Sequence, residues 1–277
     1  MKKIMKLTAV LCAIALVAVF AVGCTAEPQD NTLMVVEDTS AFEREEYGMA
    51  IAQGNDELLT AVNAVLAQMI ERGYISYIAA KHTEGMELPE FQINPVEFAG
   101  ETVVEGYLTM ATNAEFAPFE FRSNAPGAVD GVYGIDVDIA RVVANALGLQ
   151  LRVEDMEFTS VVPAVETGMA DIGIAAMTIT EERALRVNFT IPYYLATQAI
   201  IARADSGITS AADLVGLRVG VVMGYTGDIV VTAMDGVAEI VRSNSGPEAV
   251  MELINNRVDV VVIDRAPAEA IVRRNNQ

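Results

Sequence analysis

The stretch FTSVVPAVETGMADIGIAAMTITEERALRVNFTIPYY, Phe158–Tyr194, decides how this chain is read. Apolar spacing predicts a helix near Thr159–Thr167, and the almost continuous apolar run Ala170–Ala176 reads as a buried strand. Thr180 is then a good helix N-cap, with Glu181 and Glu182 in the first turn, where the helix dipole favours acids. Arg183 shares that turn, where a cation is disfavoured. Two readings fit it: a guanidinium placed beside free N–H groups to clamp a carboxylate, or a surface arginine paired with Glu182.

Outward from this stretch, strand and helix signals keep alternating, which predicts α/β lobes with mostly parallel sheets. Upstream lie a strand at Tyr107–Thr112, a helix at Gly134–Leu147 and a strand at Leu149–Glu154. Downstream, Tyr194–Ala204 is extended and opens a second series. Its strands are Arg218–Met223, Ala238–Arg242 and Val258–Ile263, with helices near Thr226–Met234 and Pro247–Asn255 and one more at the end. Nearer the start, Leu33–Glu37 and Glu46–Gln53 read as extended. A long helix follows from Asn55 to about Glu71, then a short one at Tyr74–Lys81. Between the two groups, Glu84–Gly100 carries Pro89 and Pro95 and no period, and reads as a linker over the surface.

Composition removes several function classes. A net charge of −20, with Lys81 the only lysine beyond the first six residues, repels phosphate backbones and excludes nucleic acid as a partner. A single histidine, His82, argues against metal clusters built on histidine and against a histidine relay. No phosphate-loop ending, GxSxG, HExxH or paired-cysteine motif is present. The start, Met1–Lys6, is basic and precedes the apolar run Leu7–Val22, which has the shape of an export signal. Ala21-Val22-Gly23-Cys24 resembles a bacterial lipobox, so lipidation at Cys24 is expected, with 25–32 as a tether.

Three further positions invite chemistry. The turn Gly224-Tyr225-Thr226-Gly227-Asp228 follows a strand and opens a helix, so it is either an anion-facing backbone turn or a plain tight turn. Asp264 ends an apolar strand at the sheet edge where open α/β sheets place ligands, or is only a helix cap. Phe116, Phe119 and Phe158 on strand-end loops suit either a ligand sandwich or packing under the loops. The acidic pairs Asp136/Asp138 and Glu181/Glu182 read as solvated or capping groups.

The quoted stretch, together with LTMATNAEFAPFEF (Leu108–Phe121), GVYGIDVDIARVVANALG (Gly131–Gly148) and DLVGLRVGVVMGYTGD (Asp213–Asp228), resembles the polar amino-acid substrate-binding proteins of ABC importers, solute-binding protein family 3. So does EYGMAIAQGNDELLTAVNAVLAQMIERGYISYIAAKH (Glu46–His82), which in that family ends the chain and here stands ahead of it. The resemblance implies a type II periplasmic-binding-protein fold, two α/β lobes joined by two crossing strands, in circularly permuted order. The implied division is 1–23 leader, 24–32 tether, 33–47 second lobe, 48–83 first lobe, 84–100 linker between the old ends, 101–200 first lobe and 201–277 second lobe. Leu33–Glu37 is then expected beside strands of Arg218–Ile263; pairing with a neighbouring chain would instead make a swapped dimer.

Carried over residue by residue, the resemblance implies that Arg183 holds a ligand α-carboxylate with backbone N–H groups of Thr178 and Thr226. It implies that Asp264 pairs with the α-ammonium, helped by the Thr178 hydroxyl and the Ala176 carbonyl. Phe116 and Phe158 become aromatic walls, Met177 and Tyr225 adjoin the site, and Asn113 occupies a specificity position whose neutrality leans toward a polar uncharged ligand such as glutamine. The implied partners are a small amino-acid ligand, an ABC importer permease and a membrane through the lipid anchor. The implied protein is extracytoplasmic, monomeric, without cofactor and not an enzyme. Two other classes share the fold: a periplasmic arogenate or prephenate dehydratase, and a sensor's ligand-binding domain.

Overall fold

The computed structural model describes residues 32–277; the expected leader, Cys24 and nearly all of the tether lie outside them. Along the chain come β1 (Leu33–Val36), β2 (Glu45–Tyr47), β3 (Ala50–Ala52), α1 (Asp56–Glu71) and α2 (Tyr74–Glu84). After an irregular stretch follow β4 (Tyr107–Thr112), β5 (Glu115–Phe116), β6 (Glu120–Arg122), β7 (Val132–Tyr133) and α3 (Ile135–Ala146). Then come β8 (Gln150–Asp155), α4 (Phe158–Glu166), β9 (Ile172–Gly173), α5 (Glu181–Ala184), β10 (Val187–Phe189) and β11 (Tyr194–Ala196). The last group is β12 (Gln198–Arg203), β13 (Arg218–Val222), α6 (Thr226–Thr232), β14 (Glu239–Ser243), α7 (Gly246–Ile254), β15 (Val260–Asp264) and α8 (Arg265–Asn275).

These strands build two five-stranded sheets, one per lobe. The first has the order β10-β3-β9-β4-β8, the second β1-β12-β15-β13-β14. In each, three neighbouring strands run parallel out to one edge, β9-β4-β8 in the first and β15-β13-β14 in the second, and two antiparallel pairings complete the other side, rather than the mostly parallel sheet that the alternation suggests. The antiparallel members are the ones the permuted order supplies or touches: β3 enters beside β9, and β1 beside β12. Leu33 faces Arg203 and Val36 faces Ile200 within the same chain. The immediate partner of β1 is therefore β12, not a strand of Arg218–Ile263. The slot beside β15 is already filled by β12, so only the outer edge of β12 remains open.

Connectivity makes the hinge. β2 leaves the second sheet after β1 and leads into β3 of the first, while β11 leaves the first sheet after β10 and leads into β12. The two pair antiparallel with Tyr194 opposite Tyr47 and Ala196 opposite Glu45. The extended run Glu46–Gln53 thus breaks into two strands around Gly48 and Met49, one for the hinge and one for the sheet.

Local chemistry accounts for the elements around the site. α1 buries Leu58, Val62, Val65, Leu66 and Met69 at helical spacing, and the Asn55 side chain accepts from Leu58 N at 3.2 Å as its cap. The strand expected over Ala170–Ala176 shrinks to Ile172–Gly173, because the chain turns out of the ladder toward Ala176, whose φ is +45°. Asp136 and Asp138 are buried, not solvated: α3 turns its first-turn face inward, and Asp138 is held by Lys81, His82 and Arg141 at 2.6, 2.8 and 2.7 Å. Residues 85–100 form neither helix nor strand but are pinned to the first lobe's helices. Phe91 stacks on Tyr74 with ring centres 3.8 Å apart, and Val96 N donates to Ala146 O at 2.9 Å.

Candidate functional site

Arg183 lies in a single-turn helix whose cap, Thr180, accepts from Arg183 N at 3.2 Å. That turn aims the guanidinium into the cleft rather than along the surface. Nη1 donates to the Thr178 carbonyl at 2.7 Å and Nη2 to the Gly224 carbonyl, across the cleft, at 3.0 Å. The group also sits over the Phe158 ring, 5.1 Å from its centre. Burial weakens its hold on the proton, and Asp264 and Glu45 restore part of it.

Facing it from the second lobe, Asp264 ends β15 and stands at the N-cap position of α8 without making a side-chain cap bond. Its Oδ1 instead accepts from the Tyr47 hydroxyl at 2.5 Å. The carboxyl is buried, and burial together with the nearby Glu45 pushes its pKa up to about 7.

Arg183 and Asp264 bound one narrow cavity, with Phe116, Phe158, Ala176, Tyr225 and Thr226 around it. The remaining expected residues lie beside it. Thr178 links the lobes: its hydroxyl donates to Glu45 Oε2 at 2.7 Å and accepts from the Thr226 hydroxyl at 2.8 Å. Asn113 has both ends of its amide engaged, donating to Met156 O at 2.9 Å and accepting from the Tyr225 hydroxyl at 2.6 Å. The Met177 side chain turns into the first lobe's core with Val161 and Val165. Its carbonyl accepts from Gly48 N at 3.0 Å.

Ala176 presents its backbone at the cavity in a left-handed conformation that side-chain-bearing residues rarely adopt. Asp136 holds it there: Oδ2 accepts from Ala176 N at 2.7 Å, and the carboxylate also accepts from the Tyr193 hydroxyl at 2.9 and 3.0 Å. Behind Asp136 sits Glu120, fully buried, with neither oxygen hydrogen-bonded to a donor. Burial, and then the neighbouring Asp136, raise its pKa well above the ordinary range.

Sequence reasoning passed over Glu45, Tyr47 and Gln198. Glu45 and Tyr47 are buried on one face of β2 while Glu46 points out, a period of two that was legible in Glu45-Glu46-Tyr47. Glu45 Oε1 accepts from Gln198 Nε2 at 2.9 Å, so the carboxylate bonds to residues from both lobes. The turn at Gly224 spends its own N–H on Asp228 Oδ2 at 3.1 Å and offers its carbonyl to Arg183 instead.

Residues 108–277 match the sequence model of bacterial extracellular solute-binding proteins, family 3. The strands that complete both sheets, β1 and β3, lie ahead of that match, as a permuted order requires. The arginine-binding extracellular protein ArtP of Bacillus subtilis (strain 168) is 38% identical over 117 residues, 42% of this chain and 44% of that one. Across ArtP, a probable histidine-binding protein of Neisseria gonorrhoeae and the L-arginine-binding protein of Pseudomonas aeruginosa, the chain spans 44–62% of their length. The arginine-bound form of truncated ArgBP from T. maritima is 42% identical with a TM-score of 0.57, over 61% of this chain and 79% of that one. An ancestral arginine-binding protein bound to glutamine is 38% identical with a TM-score of 0.56, over 62% and 75% of the two chains.

Proposed function

From the premise that this chain belongs to the bacterial extracellular solute-binding proteins, family 3, we propose that its interlobe cleft captures a free polar L-α-amino acid and presents it to an ABC importer permease. The observation that carries the reading is the opposition of Arg183 and Asp264 across one small cavity. An α-amino acid offers a carboxylate to the first and an ammonium to the second. Phe116, Phe158 and Tyr225 then flank the side chain. Arginine and glutamine are the first ligands to try, because similar proteins are named or solved with them. The protein works outside the cytoplasm, held to the membrane by lipid on Cys24, and binds without turning its ligand over.

The test is native mass spectrometry of the full chain purified from cells, followed by calorimetry with a panel of L-amino acids. A co-purified amino-acid mass, or saturable heat with a member of the panel, supports the reading. Heat from none of them would remove it, and phenylalanine formed from arogenate would replace it with the dehydratase class. Labelling of Cys24 by a fatty-acid analogue, lost in Cys24→Ser, tests the anchor.

A further inference from the structure

The crossing strand β2 places a second carboxylate, Glu45, next to the ammonium site. Glu45 is buried, donates nothing, and accepts from Thr178 Oγ1 and from Gln198 Nε2. Gln198 is the direct cross-strand neighbour of Asp264, so the Gln198 amide stands between the two acids. The amide's own oxygen is buried and finds no donor. Tyr47, two residues along the same strand, gives its hydroxyl to Asp264. The cluster is therefore rich in acceptors and poor in donors: two carboxylates and an amide oxygen against two hydroxyls and one amide NH₂.

The charged and titratable groups facing the pair come from every neighbouring element. Arg183 approaches from the single-turn helix, Tyr47 from β2 and Tyr225 from the start of α6, while Glu120 lies beyond in β6 and Tyr193 beside Tyr47. Arg183 is the one cation among them, and its role in the proposed function commits it to the ligand carboxylate. Two buried anions against one cation leave the empty site with an excess negative charge.

Resting on the amino-acid-binding reading, we propose that Glu45 is a second acid of the ammonium site, and that Asp264 beside it gives up a proton when an amino acid enters. Without ligand, a proton relieves the repulsion between the carboxyls; with ligand, the ammonium supplies the positive charge and the proton leaves to solvent. The direction agrees with the raised pKa of Asp264, about 7, to which Glu45 contributes after burial. Below that value the proton must be displaced before the ammonium can bind, so affinity rises with pH through 7 and levels off above it. Between pH 6 and pH 8 the gain is about tenfold, the worth of one pKa unit.

The experiment is calorimetric titration of the full chain with L-arginine and with L-glutamine at pH 7, in phosphate and in imidazole buffer. These buffers take up a proton with different heats, so a released proton makes the binding heat depend on the buffer. Release is expected in the parent and should shrink in Glu45→Gln, along with the dependence of affinity on pH, since burial alone still raises Asp264. Buffer-independent heat in the parent overturns the proposal, whatever the variant does. Release undiminished in a folded Glu45→Gln also overturns it, by showing that Glu45 has no share in holding the proton. Failure of both ligands and of the wider panel to bind removes the amino-acid reading itself, an outcome distinct from binding without proton release.

Discussion

Leu33 and Asn276, 243 positions apart, hold each other by two hydrogen bonds: Leu33 N donates to Asn276 Oδ1 at 3.1 Å, and Asn276 Nδ2 donates to Leu33 O at 2.8 Å. One side chain near the end of the chain thus closes the first residue of β1 onto α8. Its amide satisfies both backbone groups of a residue at the start of an edge strand, where neither has a guaranteed partner.

Asn276→Ala removes both bonds and should cost about 1–2 kcal/mol, felt mainly as fraying of β1. Amide hydrogen exchange over Leu33–Val36 would read it. Protection equal to the parent's would mean that strand pairing with β12 alone holds the permuted strand.

Arg183→Ala should weaken amino-acid binding by about 2–5 kcal/mol while the melting temperature stays close to the parent's. The guanidinium bonds to carbonyls of both lobes, so part of the loss comes from the closed state and part from the ligand carboxylate. Asp264→Asn should weaken amino acids but spare analogues that carry no ammonium. Calorimetry with paired ligands separates these effects, and equal losses for both analogue classes would contradict the assignment of Asp264.

The buried Asp136–Glu120 pair gives stability a pH dependence. Asp136 is pushed up to about 6 by burial, and Glu120 stands well above the ordinary range. The folded state therefore holds these protons more tightly than the unfolded chain does. Their contribution is full below the ordinary aspartate value of 3.8 and is lost as pH rises through about 6, then further as Glu120 ionises. Glu120→Gln cannot ionise and should lessen the alkaline part of that loss. Chemical denaturation across pH 6–9 tests this; parallel curves for parent and variant would refute it.

Phe91→Ala should release the strap of residues 85–100 from α2. The Phe91 ring stacks on Tyr74, and the loss of that contact should cost about 1–3 kcal/mol. Limited proteolysis would find faster cleavage within 85–100, with ligand affinity unchanged because the strap lies away from the cleft. Cleavage as slow as the parent's would mean that Val96 and its neighbours suffice.

Much of this protein follows from its sequence alone, for reasons that are local. Helical spacing in α1 and α3, apolar runs in β13 and β15, and the capped turn at Thr180 are each written within a few residues, because backbone periodicity and capping act over one or two turns. The permuted order came instead from the resemblance, because Glu46–His82 stands ahead of segments that it follows in family 3. The residues alone marked Arg183, Asp264, Phe116 and Phe158 as candidates with a bland alternative beside each, and the resemblance supplied their expected roles.

What only the tertiary structure decided depends on register between distant strands. Glu45 meets Thr178 and Gln198 at separations of 133 and 153 residues, and Tyr47 meets Asp264 at 217. No local period encodes those meetings. They arise because β2 crosses between the lobes with one fixed face inward, and a slip of one residue would have presented Glu46 instead. The same holds for β12 as the partner of β1 and for the burial of Asp136. In each case the deciding term is which polar groups remain to be satisfied once two sheets have closed around them, and that is a property of the assembled fold.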